Sequence, residues 1–382
     1  MQTKIQKIVI IGAGFAGLSL ARKLAFCGLN LDILLVDKKS TFDFLPLLPD
    51  LIGRDLEPDY LVTDIEKICR KYGCKFLQAD CLGINLDKKE IRLANENLTY
   101  DYLIIASGSE TNFYGNQKIK NYAYTLDNVL DAKKIVQSLK QGAHDNYVVS
   151  GGGYTGIEVA TNLQVYLIKN KLIQRGKRVI IIERAPKILS TLPEWMQDFV
   201  KLNLGKLGIE TITDAVIEKA ESGSVYLSNQ RVFSRAGLIW VAGVKTAAYI
   251  QNLQVAKNAQ GRINTDCFLR VNDSCFALGD AAYFNAQDNY LRMAIQFAIT
   301  EGEHTANNLI RLIKGKQLVK FVPLDLGYII PLANNRACGK VMGLDLKGLL
   351  PLLLHYAMCI YRSHGFKNKI GLFCGLFKGG ER

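Results

Sequence analysis

Two stretches of the chain repeat one pattern of apolar and polar positions. In the first, the apolar run Val9-Ile10-Ile11 leads into Gly12-Ala13-Gly14-Phe15-Ala16-Gly17, helical spacing follows over 18–24, and Ile33-Leu34-Leu35-Val36 stops at Asp37, with Lys38 behind it. In the second, Tyr147-Val148-Val149 leads into Gly151-Gly152-Gly153-Tyr154-Thr155-Gly156, a helix is expected to begin near Ile157-Glu158, and Val179-Ile180-Ile181-Ile182 stops at Glu183. Short apolar runs without alternation are the mark of strands covered on both faces, as in parallel sheets. Strand, glycine turn, helix, strand and acid together make a dinucleotide site. The first glycine makes the turn, the second lets backbone approach a pyrophosphate, the third permits helix–strand packing, and the acid accepts from a ribose hydroxyl. A lone fingerprint is weak evidence; two in full context, each with its acid, predict two nucleotides and an α/β fold with two Rossmann-like dinucleotide-binding domains.

The remaining pattern orders these two halves. Thr41-Phe42-Asp43-Phe44-Leu45-Pro46-Leu47-Leu48-Pro49 reads as a Pro-punctuated apolar loop able to lie against a flat ligand. A helix is expected over 60–71, strands over 74–80 and 90–93, and a buried parallel strand over 100–105 that runs into the small residues Ala106-Ser107-Gly108. A capped amphipathic helix over 125–139 introduces the second nucleotide domain, which continues to Trp240-Val241-Ala242-Gly243. Strand-like 268–271 and 275–278 then end at Gly279-Asp280, and helical spacing returns over 293–310. The expected organisation is therefore a first nucleotide domain at 1–118 and 244–325, with a second, 119–243, inserted in it, and a C-terminal region at 326–382.

That last region differs in character. Residues 346–362 are apolar but contain Pro351 and His355, and fall short of the roughly 20 apolar residues of a spanning helix. Beyond them, 366–378 mixes Lys367, Lys369 and Lys378 with large apolar side chains, and no acid occurs between Asp345 and Glu381. Such a segment suits an interfacial anchor, apolar face among headgroups and cations on anionic lipid. A core helix or a homodimer-forming helix is the competing reading. The expected location is the cytoplasmic face of the cell membrane, held peripherally.

Composition narrows the partners. The 382 residues are 49% hydrophobic and 22% charged, an ordinary globular balance, but the net charge of +13 asks for an anionic partner. No basic block interleaved with aromatics and no nucleic-acid module is present, which disfavours nucleic acid. The nine cysteines are odd in number and scattered, as in reduced cytosolic thiols, and are expected to be small buried apolar residues. Cys69 and Cys74 have a CxxxxC spacing, but fall at a helix end away from the first fingerprint and from the apolar loop at 41–49. His144, His304, His355 and His364 have no metal-like spacing, so no metal is expected, and no Ser–His triad motif occurs.

Taken together, these residues resemble the type II NADH dehydrogenases, single-chain NADH:quinone oxidoreductases among the flavoproteins with two dinucleotide-binding domains. The resemblance covers nearly the whole chain and rests on Phe44-Leu45-Pro46-Leu47-Leu48, on 102–110, on Trp240-Val241-Ala242-Gly243-Val244 and on Phe366-Lys367-Asn368-Lys369. It implies FAD at the first fingerprint, with Asp37 on the adenosine ribose and Asp280 on the ribityl chain, and NADH at the second, with Glu183 on the ribose. Glu183 would repel a 2′-phosphate and so favour NADH over NADPH, although Arg184 stands beside it. The implied cofactor contacts are Gly12, Gly14, Phe15, Ala16, Gly17, Asp37, Lys38, Pro46, Leu47, Ala106, Ser107, Gly108, Gly151, Gly153, Tyr154, Thr155, Gly156, Glu158, Glu183, Ala242, Gly243, Gly279, Asp280 and Gln296.

Hydride would pass from nicotinamide to flavin and two electrons on to a membrane quinone, without proton pumping. Glu158 matches a glutamate near the nicotinamide–flavin contact, or is a first-turn acid favoured by the helix dipole. Gln296 matches the first glutamine of the quinone-site helix, or is a polar residue on a solvated face. Thr300 replaces the second glutamine and the preceding prolines are missing, which leaves the quinone's identity open. Arg336 occupies a basic position of the family, but Asn334-Asn335 lacks the usual glycine. The alternatives are a soluble NADH-dependent reductase of a small iron–sulfur protein, a sulfide:quinone reductase-like enzyme, which the absence of cysteines between Cys81 and Cys267 disfavours, and a non-catalytic NADH sensor.

Overall fold

The structure, a computed structural model, describes residues 5–54, 56–286 and 289–378, with backbone alone at 285–286, 289–290 and 377–378. The chain divides into two compact units. The first comprises Met1–Phe42, Thr63–Glu110 and Val244–Asp325; the second comprises Asp43–Val62, Thr111–Gly243 and Leu326–Arg382.

In the first unit a six-stranded sheet runs in the order Arg270–Asn272, Cys275–Ala277, Tyr102–Ile105, Gln6–Ile11, Leu31–Asp37, Lys75–Gln78. Every neighbouring pair is parallel except the Arg270–Asn272 edge. The strand Gln6–Ile11 is held on both sides, Ile11 pairing with Val36 and with Ile105. Its last four residues are buried, which is why the run carries no alternation. Val9, Ile11, Leu103, Ile105, Cys275, Tyr249 and Ile250 share one core cluster.

The second unit repeats the arrangement. Its five parallel strands lie in the order Ala123–Tyr124, Ala236–Trp240, Asn146–Ser150, Arg178–Ile182, Glu210–Ile212. Ser150, the last residue before the second glycine cluster, pairs with Ile182 on one side and Trp240 on the other. Both sheets therefore place the glycine turn beside the strand that ends in the acid and opposite the strand that ends in small residues. This is the crevice at the carboxyl ends of strands where open α/β sheets bind ligands. The fold is the expected α/β class with two Rossmann-like halves.

Several expectations need correcting. The segment Asp43–Val62 falls inside the span read as the first nucleotide domain, yet packs with the second unit. Part of it is helical, a 3₁₀ turn at Leu45–Leu47 continuing into a helix at Leu48–Gly53. The reason is local: Pro46 and Pro49 sit at early helical positions, where proline's missing N–H has no partner to lose. The helix expected over 60–71 begins only at Ile65, because Asp64 caps it by accepting the Lys67 amide at 2.8 Å. The cysteines are also less uniformly buried than expected, Cys27 being half-buried and Cys267 and Cys374 exposed.

The C-terminal part is a three-stranded antiparallel sheet, Gly327–Leu332, Arg336–Val341 and Leu344–Gly348, followed by helices Leu349–Arg362 and Phe366–Lys378. Leu346 and Lys347, read as part of the apolar segment, belong to the last strand; the helix starts after Gly348, whose φ is 96°. Pro351 lies in the helix's first turn and so does not break it. Among the described residues no helix is long and apolar enough to cross a membrane. The Lys378 side chain and residues 379–382, counted in the anchor, lie outside the described residues.

Candidate functional site

The first glycine cluster has the geometry its spacing predicts. Gly12 takes φ 108°, its amide donates to Val36 O at 2.8 Å, and a β-carbon on it would stand 2.2 Å from Ala106 O. A β-carbon on Gly17 would stand 1.9 Å from Gly12 O, so the helix Phe15–Ala25 reaches the turn only because that position is bare. Gly14 is different, since a β-carbon there would meet nothing within 4 Å. Its hydrogen faces open space at a helix N-terminus with no side-chain cap and no first-turn acid, the polarity that receives a phosphate. Phe15 and Ala16 open this helix, and Phe15 stands edge-on to Phe42 at 5.0 Å.

Asp37 anchors the turn from the neighbouring strand. Its carboxylate accepts the Ala13 amide at 2.7 Å and the Lys39 amide at 2.8 Å, which points the remaining lone pairs across the strand ends. The Lys38 ammonium pairs instead with Glu110 at 2.5 Å. Ala106 follows the strand Tyr102–Ile105 and donates to Ile11 O at 2.8 Å; Ser107 accepts the Tyr249 hydroxyl at 2.8 Å, and Gly108 takes φ 68°.

Gly279 and Asp280 join the same unit. Gly279 has φ 61° and lies 3.5 Å from Ala298 and 3.6 Å from Ala16, measured from an ideal β-carbon. The Ser109 hydroxyl donates to Asp280 at 2.7 Å. Glu301, on the helix Ile295–Ile313, accepts the Gly279 amide at 2.5 Å and is 3% exposed. Burial pushes its carboxyl up to about 8, against the opposing Gly279 bond and the Arg262 cation. Sequence reasoning missed Glu301 and the buried Arg262. The signal was the pair Glu301-Gly302: a β-carbon on Gly302 would stand 2.4 Å from Ala16 O, so this helix packs directly on the fingerprint helix.

Gln296 lies in the first turn of Ile295–Ile313, half-buried, and its amide donates to Asp325 at 2.9 Å. Arg292 pairs with the same carboxylate. The Thr300 hydroxyl turns back onto Gln296 O and Phe297 O, so it does not project as a second amide would.

The second glycine cluster repeats the main features of the first. Gly151 has φ 94° and donates to Ile182 O at 2.8 Å, and a β-carbon on Gly156 would stand 1.8 Å from Gly151 O. Gly153 again opens onto empty space ahead of an uncapped helix, Tyr154–Lys169. Glu183 accepts the Gly152 amide at 2.5 Å and the Ala185 amide at 2.7 Å. Arg184 beside it is exposed. Ala242 lies 3.5 Å from the β-carbon position of Gly151, and Gly243 has φ 94° with Tyr114 packed against it. Tyr154 and Thr155 open the helix, Tyr154 edge-on to Tyr328 at 5.9 Å.

Glu158 is the fifth residue of that helix, whose first turn holds no acid, so the first-turn explanation of this glutamate fails. Burial, and then the charge of Asp50, hold its carboxyl well above the ordinary range. Pro46 and Leu47 belong to the same unit, with Leu47 fully buried. Arg336 is exposed at the start of its strand, and Asn335 takes the left-handed conformation, φ 59°, that a glycine would otherwise supply. No group of three or more histidine, cysteine, aspartate or glutamate side chains among the described residues is arranged to hold a metal.

Residues 6–302 match the model of a family described as pyridine nucleotide-disulphide oxidoreductase. Demethylphylloquinone reductase NdbB of Synechocystis sp. is 27% identical over 384 residues, covering 95% of this chain and 94% of that protein. A type II NADH:quinone oxidoreductase of Staphylococcus haemolyticus is 27% identical over 370 residues, covering 90% and 91%. Among solved structures, NDH2 from Plasmodium falciparum in complex with NADH is similar with a TM-score of 0.88 at 20% identity, over 98% of each chain.

Proposed function

Because the chain belongs to the pyridine nucleotide-disulphide oxidoreductase family, we propose that it binds FAD and NADH and acts as an NADH:quinone oxidoreductase. The observation that carries this reading is the duplicated turn, in which Gly14 and Gly153 leave open cradles at uncapped helix N-termini and Asp37 and Glu183 brace them identically. Two such cradles fit two pyrophosphates. Relatives of nearly the same length whose names state quinone reduction support the acceptor.

When bound, FAD supplies the two-electron chemistry between NADH and quinone. The chain's residues do the positioning. Gly12, Gly14 and Gly17 admit the FAD pyrophosphate, Asp37 takes the ribose, and Ala106, Ser107, Gly108, Gly279 and Asp280 line the rest. Gly151, Gly153, Gly156 and Glu183 do the same for NADH, and the fixed negative charge of Glu183 disfavours a 2′-phosphate. Glu158 holds a proton at its carboxyl, and Gln296 orients the quinone once its amide turns from Asp325.

The C-terminal helices support membrane association. On Leu349–Arg362 the side chains of Leu352, Tyr356 and Cys359 are buried, while Leu349, Leu350, Leu353, Leu354, Met358 and Tyr361 are exposed. Phe366, Ile370 and Phe373 are exposed on the next helix, near Lys367 and Lys369. An outward apolar face with cations beside it suits an anionic leaflet at the cytoplasmic face of the membrane.

The test is NADH oxidation by FAD-loaded protein with short-chain ubiquinone and menaquinone analogues, with NADPH and sulfide as alternative donors. Rapid, NADH-selective quinone reduction is expected. Flavin that NADH reduces and no quinone reoxidises would overturn the acceptor assignment, and sulfide-driven reduction would favour the sulfide:quinone reductase reading.

A further inference from the structure

In the second unit the parallel strand Ala236–Trp240 leaves the sheet at Val241, whose amide donates to Ser150 Oγ at 3.0 Å, and continues through Ala242 and Gly243 beside the second glycine turn. Gly243 has no side chain, but its bare face is covered. A β-carbon there would stand 2.0 Å from the Tyr114 hydroxyl oxygen and 2.9 Å from the ring carbon that bears it.

Three hydrogen bonds fix the segment that carries this tyrosine. The Asn112 amide donates to Gly243 O at 3.1 Å, the Trp240 indole N–H donates to Asn112 O at 2.9 Å, and the Tyr114 amide donates to Asn112 Oδ1 at 2.8 Å. Phe113 stacks on Trp240 with ring centres 6.2 Å apart. The Asn116 amide returns to Phe113 O at 2.9 Å and closes a β-turn whose central residues, Tyr114 and Gly115, take φ 51° and 76°. A turn with positive φ at both central positions favours Asn, Asp or Gly in each. Gly115 fits that rule and Tyr114 breaks it, because a large L side chain is disfavoured in the left-handed region. Burial does not offset the cost, since Tyr114 stays 68% exposed. An aromatic held firmly in a strained conformation with most of its surface in solvent has the form of a ligand contact, not of a core residue.

We propose that Tyr114 is a binding residue for the nicotinamide half of NADH. This deepens the proposed NADH site and rests on it. A dinucleotide lies across the strand ends with its pyrophosphate at the glycine turn, so its two halves fall on opposite sides of that turn. Glu183 follows the strand on one side, Arg178–Ile182, and takes the adenosine ribose under the proposed function. Ala242, Gly243 and Tyr114 stand at the end of the strand on the other side. The half that falls to them is the nicotinamide riboside, whose flat ring suits an aromatic surface. Gly243 then serves the site by admitting the Tyr114 ring, and Tyr114 makes the contact.

The test is stopped-flow reduction of the FAD-loaded protein by NADH, which gives Kd for NADH and the limiting rate separately, with ADP-ribose, which lacks the nicotinamide, as competing ligand. Tyr114→Asn removes the ring and suits the left-handed conformation. It should raise Kd for NADH about fivefold or more, the scale of one lost stack on an aromatic, and leave the inhibition constant of ADP-ribose within about twofold. Tyr114→Phe, which keeps the ring, should hold Kd for NADH within about twofold of the parent. Tyr114→Gly, also at ease with positive φ, stands in should Tyr114→Asn lose its thermal midpoint or its flavin. An unchanged Kd for NADH in the ring-free variant, or equal weakening of NADH and ADP-ribose, overturns the assignment. Normal reduction of the parent beside an unmoved ring-free variant refutes the Tyr114 role alone. A parent flavin that NADH does not reduce refutes the NADH reading and the Tyr114 role with it.

Discussion

Glu183 accepts the amide of Gly152 at 2.5 Å, and so does for the second glycine turn what Asp37 does for the first through Ala13. An acid at the end of the neighbouring strand braces each turn before any ligand arrives, and under the proposed function its remaining lone pairs serve a ribose. Glu183→Gln replaces one acceptor oxygen with a donor that faces an amide. Charged hydrogen bonds of this kind are worth about 1.5–3 kcal/mol, so KM for NADH should rise roughly 10- to 100-fold. The NADH-to-NADPH preference should narrow in the same assay, while flavin content stays constant. An unchanged preference would count against the ribose role.

The third glycines give a paired test. Gly17→Ala would place a β-carbon 1.9 Å from Gly12 O, and Gly156→Ala one 1.8 Å from Gly151 O. Purified Gly17→Ala should lose FAD, seen as a fallen flavin-to-protein absorbance ratio. Gly156→Ala should keep FAD and lose its reduction by NADH. Loss of FAD in both would mean that the two turns do not serve separate nucleotides.

Membrane docking is better tested by charge than by truncation. Deleting 346–382 removes most of a sheet strand and the buried Leu352, Tyr356, Cys359, Leu372 and Leu376, so it should unfold part of the second unit as well as release it from lipid. Leu350→Glu with Met358→Glu changes only side chains that are 58% and 40% exposed. This variant should fail to sediment with anionic vesicles and lose long-chain quinone turnover, with turnover of a soluble dye kept within about twofold, as expected of surface substitutions. Equal loss with both acceptors would sink the docking role.

Glu301 supplies a pH signature of stability. Its carboxyl titrates near 4.5 when free in the unfolded chain and near 8 in the fold, so the folded state binds its proton more tightly. The stability this provides is fully present below pH 4.5 and is lost as pH rises through about 8. Tm should therefore fall across that window, and Glu301→Gln, which keeps an acceptor for the Gly279 amide but cannot ionise, should flatten the fall. A variant whose Tm follows the parent's pH dependence would show that another group carries it.

Gln296 is held by Asp325, so its role appears in a split of constants. Gln296→Leu should raise KM for quinone several-fold and leave KM for NADH unchanged. A rise in both would place the effect on the helix and not on the acceptor.

Much of this protein was legible before any coordinate. The two fingerprints are local. A strand, a turn needing positive φ and a helix packed on it are contiguous in the chain, so Gly12, Gly14, Gly17 and Asp37 announce themselves by spacing, as do Gly151, Gly153, Gly156 and Glu183. Gly279-Asp280 was readable for the same reason, following an apolar strand directly.

What tertiary structure alone decided is long-range. Asp50 and Tyr356 stand 306 positions apart and meet at 2.8 Å; nothing near either residue signals the other. Glu301 looks like any acid on a charged helix until Gly302 brings that helix onto Ala16 and Glu301 to the Gly279 amide. Asp43–Val62 falls within the span read as the first domain, and its opening residues read as a loop because Pro46 and Pro49 interrupt every period, yet Ile52 packs in the same core as Ile157 and Leu163 of the second unit. Periodicity records which face of an element is buried. It does not record which element does the burying, and the buried charges whose states depend on that partner became readable only in the fold.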